Sequence, residues 1–251
     1  MNKIFFIMSF FILVASCAPR VPDADTQRAS AADIVKRVEL FQGVIRSVKG
    51  LARVRIKTPL EKVSYTQVTV AREPNLLRLE ALNPFGSTVG FISSDGENIY
   101  IISSSERDVY DSREEFDLSY VYPGLDLRIT ADSLVNLVMG RLPYKIYDSP
   151  VSPVLTADSG HIKLTYKDAG TGSENHIWVN PENYRVEKAD FSLANGKRAM
   201  IRYDYFGELV DGHYFPKEID FKTGELSINI VYEPDVELNK NVDGRLFKPS
   251  T

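Results

Sequence analysis

The sequence predicts an α+β fold: a strongly curved antiparallel sheet of about ten or more strands, a half-open β-barrel covered by a few helices. Three observations predict it. Apolar and polar residues alternate with a period of two over most of the chain, short turns join these segments, and only two segments have a clear helical period. So large a sheet has to curl, and a curled sheet that two helices fill incompletely leaves an apolar hollow.

The composition is that of a globular chain without a strong charge bias. The 251 residues are 43% hydrophobic and 25% charged, and the net charge is −4 with both signs interspersed. The basic footprint typical of nucleic-acid binding is lacking, so we expect no nucleic-acid partner. Because the charges are balanced, a lipid would have to be bound through apolar surface rather than through charge. No linker divides residues 30–251, which we expect to form one domain and a monomer.

The N-terminal segment has the pattern of a signal peptide. Lys3 precedes an apolar run from Ile4 to Val14, and small residues stand directly before Cys17. The apolar run is about half of the roughly 20 residues that a spanning helix needs, so we expect no permanent transmembrane anchor.

Cys17 is the only cysteine of the chain, so it has no internal disulfide partner. The sequence VASC that ends with it resembles the bacterial lipoprotein signal, in which the cysteine is acylated. We expect a signal peptide at 1–16 and an acylated cysteine with a flexible tether at 17–29. Ala18 stands where enterobacterial lipoproteins of the inner membrane carry aspartate, which favours the outer membrane, facing the periplasm. The alternative is an ordinary secretory signal with a chance cysteine.

Two helices have recognisable start signals. Ser30 to Asp33 resembles a capping box, and it is followed by an apolar stripe at helical spacing. That stripe consists of Ile34, Val38, Phe41 and Ile45. A capping threonine at Thr130 begins the second helix, and Gly140 ends it. We expect both helices to pack on the sheet rather than to lie in a membrane.

The strands are predicted from alternation and from turn residues between them. The N-terminal half has alternating segments within Val48 to Ser112, with a hairpin turn at Ser94 to Glu97. The second half repeats the pattern. Its candidate strands are His161 to Lys167, Asn175 to Asn180, Arg185 to Leu193, Arg198 to Tyr205, Tyr214 to Phe221 and Leu226 to Tyr232.

One turn carries an aromatic residue where polar residues are usual. Asn83, Pro84 and Gly86 are turn formers, and Phe85 lies between them. Phe85 either folds back into the core or is presented to something outside. We expect an exposed insertion loop formed by Pro84, Phe85 and Gly86.

Apolar residues of two strands and of the second helix are expected to line the hollow. The predicted cavity residues are Leu77, Leu79, Ile99, Ile101, Leu134, Leu137 and Val138. A filled core is the alternative, and it would bury the same residues.

Residues with catalytic or metal-binding potential form no recognisable motif. The histidines His161, His176 and His213 lie in or beside predicted strands, and no nucleophile elbow or phosphate-binding loop is present. A group of carboxylates beside Arg107 and Arg113 is interpreted as a solvated loop. Its members are Asp108, Asp111, Glu114, Glu115 and Asp117. We expect no enzyme activity, no cofactor and no metal, although a fold can assemble paired carboxylates from distant residues.

Two motifs resemble the outer-membrane lipoprotein receptor family of the Lol pathway, LolB. LNPFGST at Leu82 to Thr88 is similar to a loop of that family that carries leucine at the Phe85 position. DSLVNLVMGRLP at Asp132 to Pro143 is similar to its helix and the following GLP turn, with Arg141 inserted. Weaker likeness continues through Tyr214 to Phe221 and the final strand pair.

The resemblance implies a half-open antiparallel barrel, capped by helices, that binds the acyl chains of lipoproteins delivered by a periplasmic carrier. We therefore expect an outer-membrane-anchored protein that accepts acylated lipoproteins, or another lipid, and delivers them to the membrane. Three features of this chain differ from the family: phenylalanine replaces leucine at the loop tip, Arg141 is inserted, and the chain is longer. These differences concern the protein's partner and cargo more than its fold. The alternatives are a lipid- or stress-sensing regulatory lipoprotein of the same fold and an envelope hydrolase.

Overall fold

A computed structural model describes residues 30–103, 107–118, 127–143, 152–167, 172–193, 196–205 and 214–249. The signal segment, Cys17 and the tether lie outside these residues, as does His213.

The described residues form one large antiparallel sheet of fourteen strands and a separate two-stranded sheet. The strands of the first half are β1 Ser47–Lys57, β2 Lys62–Arg72, β3 Leu76–Leu82, β4 Thr88–Asp95, β5 Asn98–Ser103 and β6 Arg107–Asp111. The small sheet pairs β7 Phe116–Asp117 with β8 Arg128–Ile129. The second half contributes β9 Val154–Asp158, β10 His161–Lys167, β11 Glu174–Val179, β12 Val186–Ser192, β13 Arg198–Tyr205, β14 Pro216–Thr223, β15 Leu226–Tyr232 and β16 Glu237–Leu238.

The order across the large sheet is β6-β5-β4-β3-β2-β1-β15-β14-β13-β12-β11-β10-β9, with β16 paired to β1. The two halves meet where β1 pairs with β15, so that Val54 lies opposite Ile230. Among the described strands, the sheet ends at β6 on one side and at β9 on the other, and it does not close into a barrel. The expected large antiparallel sheet is confirmed.

The first helix, α1, spans Ala31–Gln42 and has the predicted capping box. The Ser30 hydroxyl accepts a hydrogen bond from the Asp33 amide (3.2 Å), and the Asp33 carboxylate accepts one from the Ser30 amide (3.2 Å). Ile34 and Val38 are fully buried. Ile45 was predicted to continue the helical stripe; it is buried but lies beyond the end of the helix, because the chain leaves the helix at Gly43.

The second helix, α2, spans Ala131–Val138, and the Thr130 hydroxyl accepts a hydrogen bond from the Ser133 amide (3.4 Å). Gly140 follows with a φ of +72°, the left-handed conformation that favours glycine after a helix. A Cβ atom there would lie 2.3 Å from Cγ of Pro216. Glycine is therefore required both by backbone conformation and by close packing.

One sequence-based interpretation is wrong. The carboxylate-rich segment was expected to be a loop, but Arg107–Asp111 is the edge strand β6, paired with β5. Two of its side chains, Arg107 and Val109, are exposed. An edge strand whose charged and exposed residues face solvent has a loop-like composition, and charged edges are a common protection against aggregation.

The apolar core covers one face of the large sheet, and the C-terminal residues cover part of the other. A 3-10 helix at Gly244–Phe247 packs on β3 and β4 with Phe247 fully buried. The Ser93 hydroxyl donates a hydrogen bond to the carbonyl of Phe247 (2.5 Å), and the Arg78 guanidinium donates one to the carbonyl of Leu246 (3.1 Å). No pattern in the sequence indicates this second small core.

Candidate functional site

Helix α2 is held against the sheet by hydrogen bonds to its C-terminal end. The hydroxyl of Tyr232, on β15, donates to the carbonyl of Val138 (2.7 Å), and the hydroxyl of Tyr203, on β13, donates to the carbonyl of Arg141 (2.6 Å). Complete burial raises the pKa of Tyr232, so its hydroxyl stays protonated and remains a donor. These bonds satisfy carbonyl groups that a helix end leaves without partners.

A small apolar cavity of about 50 Å³ lies between α2 and the sheet. Aliphatic side chains form most of its wall, and Tyr65 and Gln67 add polar atoms. The other residues that line it are Val54, Ile56, Leu79, Ile92, Leu118, Leu127, Ile129, Leu134, Leu137, Val138, Ile228 and Ile230. It is the strongest candidate for a binding site on the apolar side of the sheet.

All seven predicted cavity residues are buried on the same side of the sheet. Four of them line the cavity: Leu79, Leu134, Leu137 and Val138. The other three, Leu77, Ile99 and Ile101, belong to the surrounding core and are not part of the cavity wall. Their binding of acyl chains stays a prediction.

The cavity is much smaller than a loaded lipid site. Ligand pockets are commonly ~300–1,000 Å³, so the 50 Å³ observed holds only a few water-sized spheres. The structure therefore has α2 closed on the sheet. An acyl chain could enter only if α2 or its neighbours moved away from the sheet.

Residues of β1 and β15 were missed by the sequence analysis, although they form one wall of the cavity. Val54 and Ile56 belong to β1, and Ile228 and Ile230 face them from β15. Their alternating pattern was visible in the sequence. The pairing that brings residues so distant in sequence together was not.

The Phe85 turn is well ordered by hydrogen bonds and presents its aromatic side chain to solvent. The side-chain oxygen of Asn83 accepts hydrogen bonds from the amides of Phe85 (2.9 Å) and Ser87 (3.0 Å). Gly86 has a φ of +82°, and Phe85 is 92% exposed. The side chain does not fold under the turn.

None of the described histidines and carboxylates singled out from the sequence lines the cavity. His161 contacts the Glu187 carboxylate (Nε2 to Oε2, 2.8 Å), and Arg113 binds Asp111. The arginine's hydrogen bonds lower the pKa of Asp111 to about 2. In the described part of the chain, no group of three or more histidine, cysteine or acidic side chains is arranged to hold a metal ion. Among the same residues, no helix has the length and hydropathy to cross a bilayer.

The fold is similar to several solved structures. A LolA superfamily protein from Nitrosomonas europaea matches with a TM-score of 0.56 and 15% identity, covering 88% of this chain and 98% of that one. A Vibrio parahaemolyticus domain described as an outer membrane lipoprotein-sorting protein gives a TM-score of 0.55 and 10% identity, over 87% and 97% of the two chains. A DUF1329 family protein from Desulfovibrio piger gives a TM-score of 0.55 and 11% identity, covering 87% of this chain and 95% of that one. At these identities the likeness shows a shared fold.

No family model and no curated protein sequence matches the chain. The fold neighbours support a LolA-like fold for this chain, and they do not single out the LolB receptors.

The cavity predicts an unusual tolerance to a larger side chain. Leu137 lines the cavity, whereas Val135 is fully buried on the same helix and does not. Leu137→Phe should change the free energy of unfolding by less than about 1 kcal/mol, because the added ring atoms occupy existing space. Val135→Phe should destabilise by about 1–3 kcal/mol or more, because its site is filled.

Urea-induced unfolding followed by circular dichroism measures both variants. Equal and large losses of stability would mean that no usable space exists beside Leu137.

Proposed function

We propose that this chain is an outer-membrane-anchored, periplasm-facing lipoprotein that binds acyl chains of lipoproteins, or of another lipid, and delivers them to the membrane. The observation that carries the proposal is the apolar cavity that α2 closes against the inward face of an open, LolA-like sheet. A solved neighbour described as a lipoprotein-sorting domain supports the same class of cargo. No bond is made or broken in this function.

Loading would proceed by movement of α2 away from the sheet. The helix is only eight residues long, and Leu134, Leu137 and Val138 are the side chains that it places over the cavity. Its withdrawal would join the cavity to the adjoining apolar surface of β1, β3, β4 and β15. This surface is mainly aliphatic, with Tyr65 and Gln67 of the intervening β2 as polar members, so it would accept acyl groups of different length chiefly through apolar contacts.

Attachment to the membrane would be made through Cys17. The chain between this residue and Ser30 is a twelve-residue segment containing two prolines, Pro19 and Pro22. Extended, twelve residues reach about 40 Å, which lets the folded domain turn relative to the bilayer while it stays attached.

Replacement of the cysteine tests the anchor. Cys17→Ala should abolish incorporation of radioactive palmitate and leave an unprocessed or soluble species, because the acylated thiol is lost. Fractionation and autoradiography measure this. Labelling that persists in the variant would contradict lipidation at Cys17, while Ala18→Ser should label like the parent chain.

The cavity should bind a free acyl chain. A fluorescent fatty acid is expected to bind the full-length protein saturably at micromolar concentration. Leu137→Phe should weaken binding about tenfold, because the ring takes space that the first methylenes would fill. Leu40→Phe, on the exposed face of α1, is the matched control and should bind like the parent protein.

Absence of saturable binding by the parent protein would overturn the lipid-binding proposal. Unchanged binding by the Leu137→Phe variant would place the site elsewhere.

The Phe85 turn is proposed to contact the bilayer during delivery. An exposed phenylalanine forgoes about 1.5–3 kcal/mol of burial, which insertion into lipid would recover. Phe85→Glu should leave the free energy of unfolding within about 0.5 kcal/mol of the parent, since the residue is exposed, but should prevent delivery. Phe85→Leu should retain activity.

Lipoprotein transfer to vesicles, with accumulation of lipoproteins at the inner membrane in cells, measures delivery. Val109→Glu, which introduces the same charge at an exposed apolar residue of the edge strand, is the control. A Phe85→Glu protein that delivers normally would refute the role of this turn. Normal lipoprotein sorting in cells depleted of the protein would favour the sensing role over delivery.

A further inference from the structure

The turn between β1 and β2 is built like the Phe85 turn. Thr58-Pro59-Leu60 and Asn83-Pro84-Phe85 each place a polar residue, a proline and a large apolar residue in that order. The Thr58 hydroxyl accepts hydrogen bonds from the amides of Leu60 (3.2 Å) and Glu61 (3.1 Å), as the Asn83 side chain does in its own turn. Leu60 is 79% exposed. Both turns therefore hold an apolar side chain in water at a fixed position.

The topology places these two turns at the same end of the sheet. β1 is antiparallel to β2 and β2 to β3, so β1 and β3 run in the same direction and end at the same side. The two hairpins are neighbours, separated by two strand spacings, or about 10 Å in the direction perpendicular to the strands. Lys57 pairs with Lys62, whereas Leu82 pairs with Thr66. The Leu60 hairpin is therefore longer by four residues, or about 13 Å along the strand.

Charged side chains of both signs, with lysines in slight excess, lie around the Leu60 turn. An open groove of about 850 Å³ lies between this turn and the turn joining β14 to β15. Its rim carries three lysines, Lys57, Lys62 and Lys222, and two glutamates, Glu61 and Glu225, an excess of one positive charge. Leu60 thus projects from a polar, slightly cationic rim, the arrangement of residues that bind at the headgroup boundary of a bilayer.

We propose that the Thr58–Glu61 turn is a second membrane-contacting element, in which Leu60 enters the acyl boundary and the three lysines meet lipid phosphates. The inference rests on the proposed function, since it takes the bilayer to be the surface that Phe85 meets. A lipid surface fits better than a protein partner, because a stable protein interface buries about 800 Å² on each side, and here single apolar side chains project from polar turns. Two such points orient this end of the sheet toward the membrane.

Site-specific labelling of the acylated full-length protein tests the proposal. Cys17 is the only cysteine, so a single introduced cysteine can carry an environment-sensitive fluorophore once Cys17 is blocked by its acyl groups; the parent chain measures background labelling. Three variants are compared: Leu60→Cys, Phe85→Cys and, as control, Leu40→Cys on α1. Leu40 is also exposed, at 64%, so all three should keep the stability of the parent.

The labelled proteins are reconstituted into vesicles of phosphatidylethanolamine with a minority of phosphatidylglycerol, with and without brominated acyl chains. We expect several-fold brighter emission at positions 60 and 85, quenched by the brominated lipid, and neither effect at position 40. Replacement of the three lysines by glutamine should reduce quenching at position 60 when phosphatidylglycerol is present.

Quenching at position 85 but not 60 would overturn the inference and leave the proposed function standing. Quenching at neither position would overturn both membrane contacts. Quenching at position 60 alone would uphold the second contact and remove the role of Phe85. Equal quenching at all three positions would overturn the inference, because it would show burial without a preferred orientation.

Discussion

The structure depends on how the apolar face of one very broad sheet is kept from water. Thirteen successive hydrogen-bonded strands extend over about 60 Å at the usual strand spacing. Helix α2 is eight residues, or about 12 Å, long, so it protects only a small part of that breadth. The Tyr232 hydroxyl fixes where this cover lies, through its bond to the Val138 carbonyl. The cavity is found beneath this limited cover.

The first helix protects a different part of the sheet. Phe41 packs against Tyr205 and Tyr214 in the second half of the chain, with ring centroids 6.3 and 6.5 Å apart, and the Arg37 guanidinium lies 4.7 Å from the centre of the Tyr184 ring. These are amphipathic contacts that leave polar atoms at the surface. α2 instead meets an aliphatic surface. The apolar cavity lies beneath α2, on this aliphatic surface.

Local signals in the sequence predicted local structure well. Ser30 and Thr130 were recognised as helix caps because a cap requires only residues within one turn of each other. His161–Lys167 and Leu226–Tyr232 have the predicted bounds because their alternation is uninterrupted. Asn83 orders its turn by the side-chain bonds that asparagine commonly makes in turns.

Features that depend on distant contacts were not predicted. Phe247, in the C-terminal segment, is buried against residues such as Ser93 that are more than 150 positions earlier in the chain. No periodicity in the sequence indicates such contacts. The strands carrying Leu79 and Ile101 were expected to have apolar residues inside, but the cavity wall depends on which residues lie opposite α2. Leu79 lines the cavity, and Ile101 does not. Leu60 was overlooked because exposure at a turn becomes informative only when the topology places it beside Phe85.

On the proposed function, the closed cavity gives delivery its direction. An acyl chain gains about 0.8 kcal/mol for each methylene removed from water, and it gains nearly the same in a bilayer as in an apolar cavity. Loading, however, requires α2 to leave the sheet and so to expose side chains such as Leu137, each worth about 1.5–3 kcal/mol when fully buried. The bilayer imposes no such cost. Closure of α2 therefore favours release of the chain into the membrane, and the protein left behind exposes little apolar surface to water.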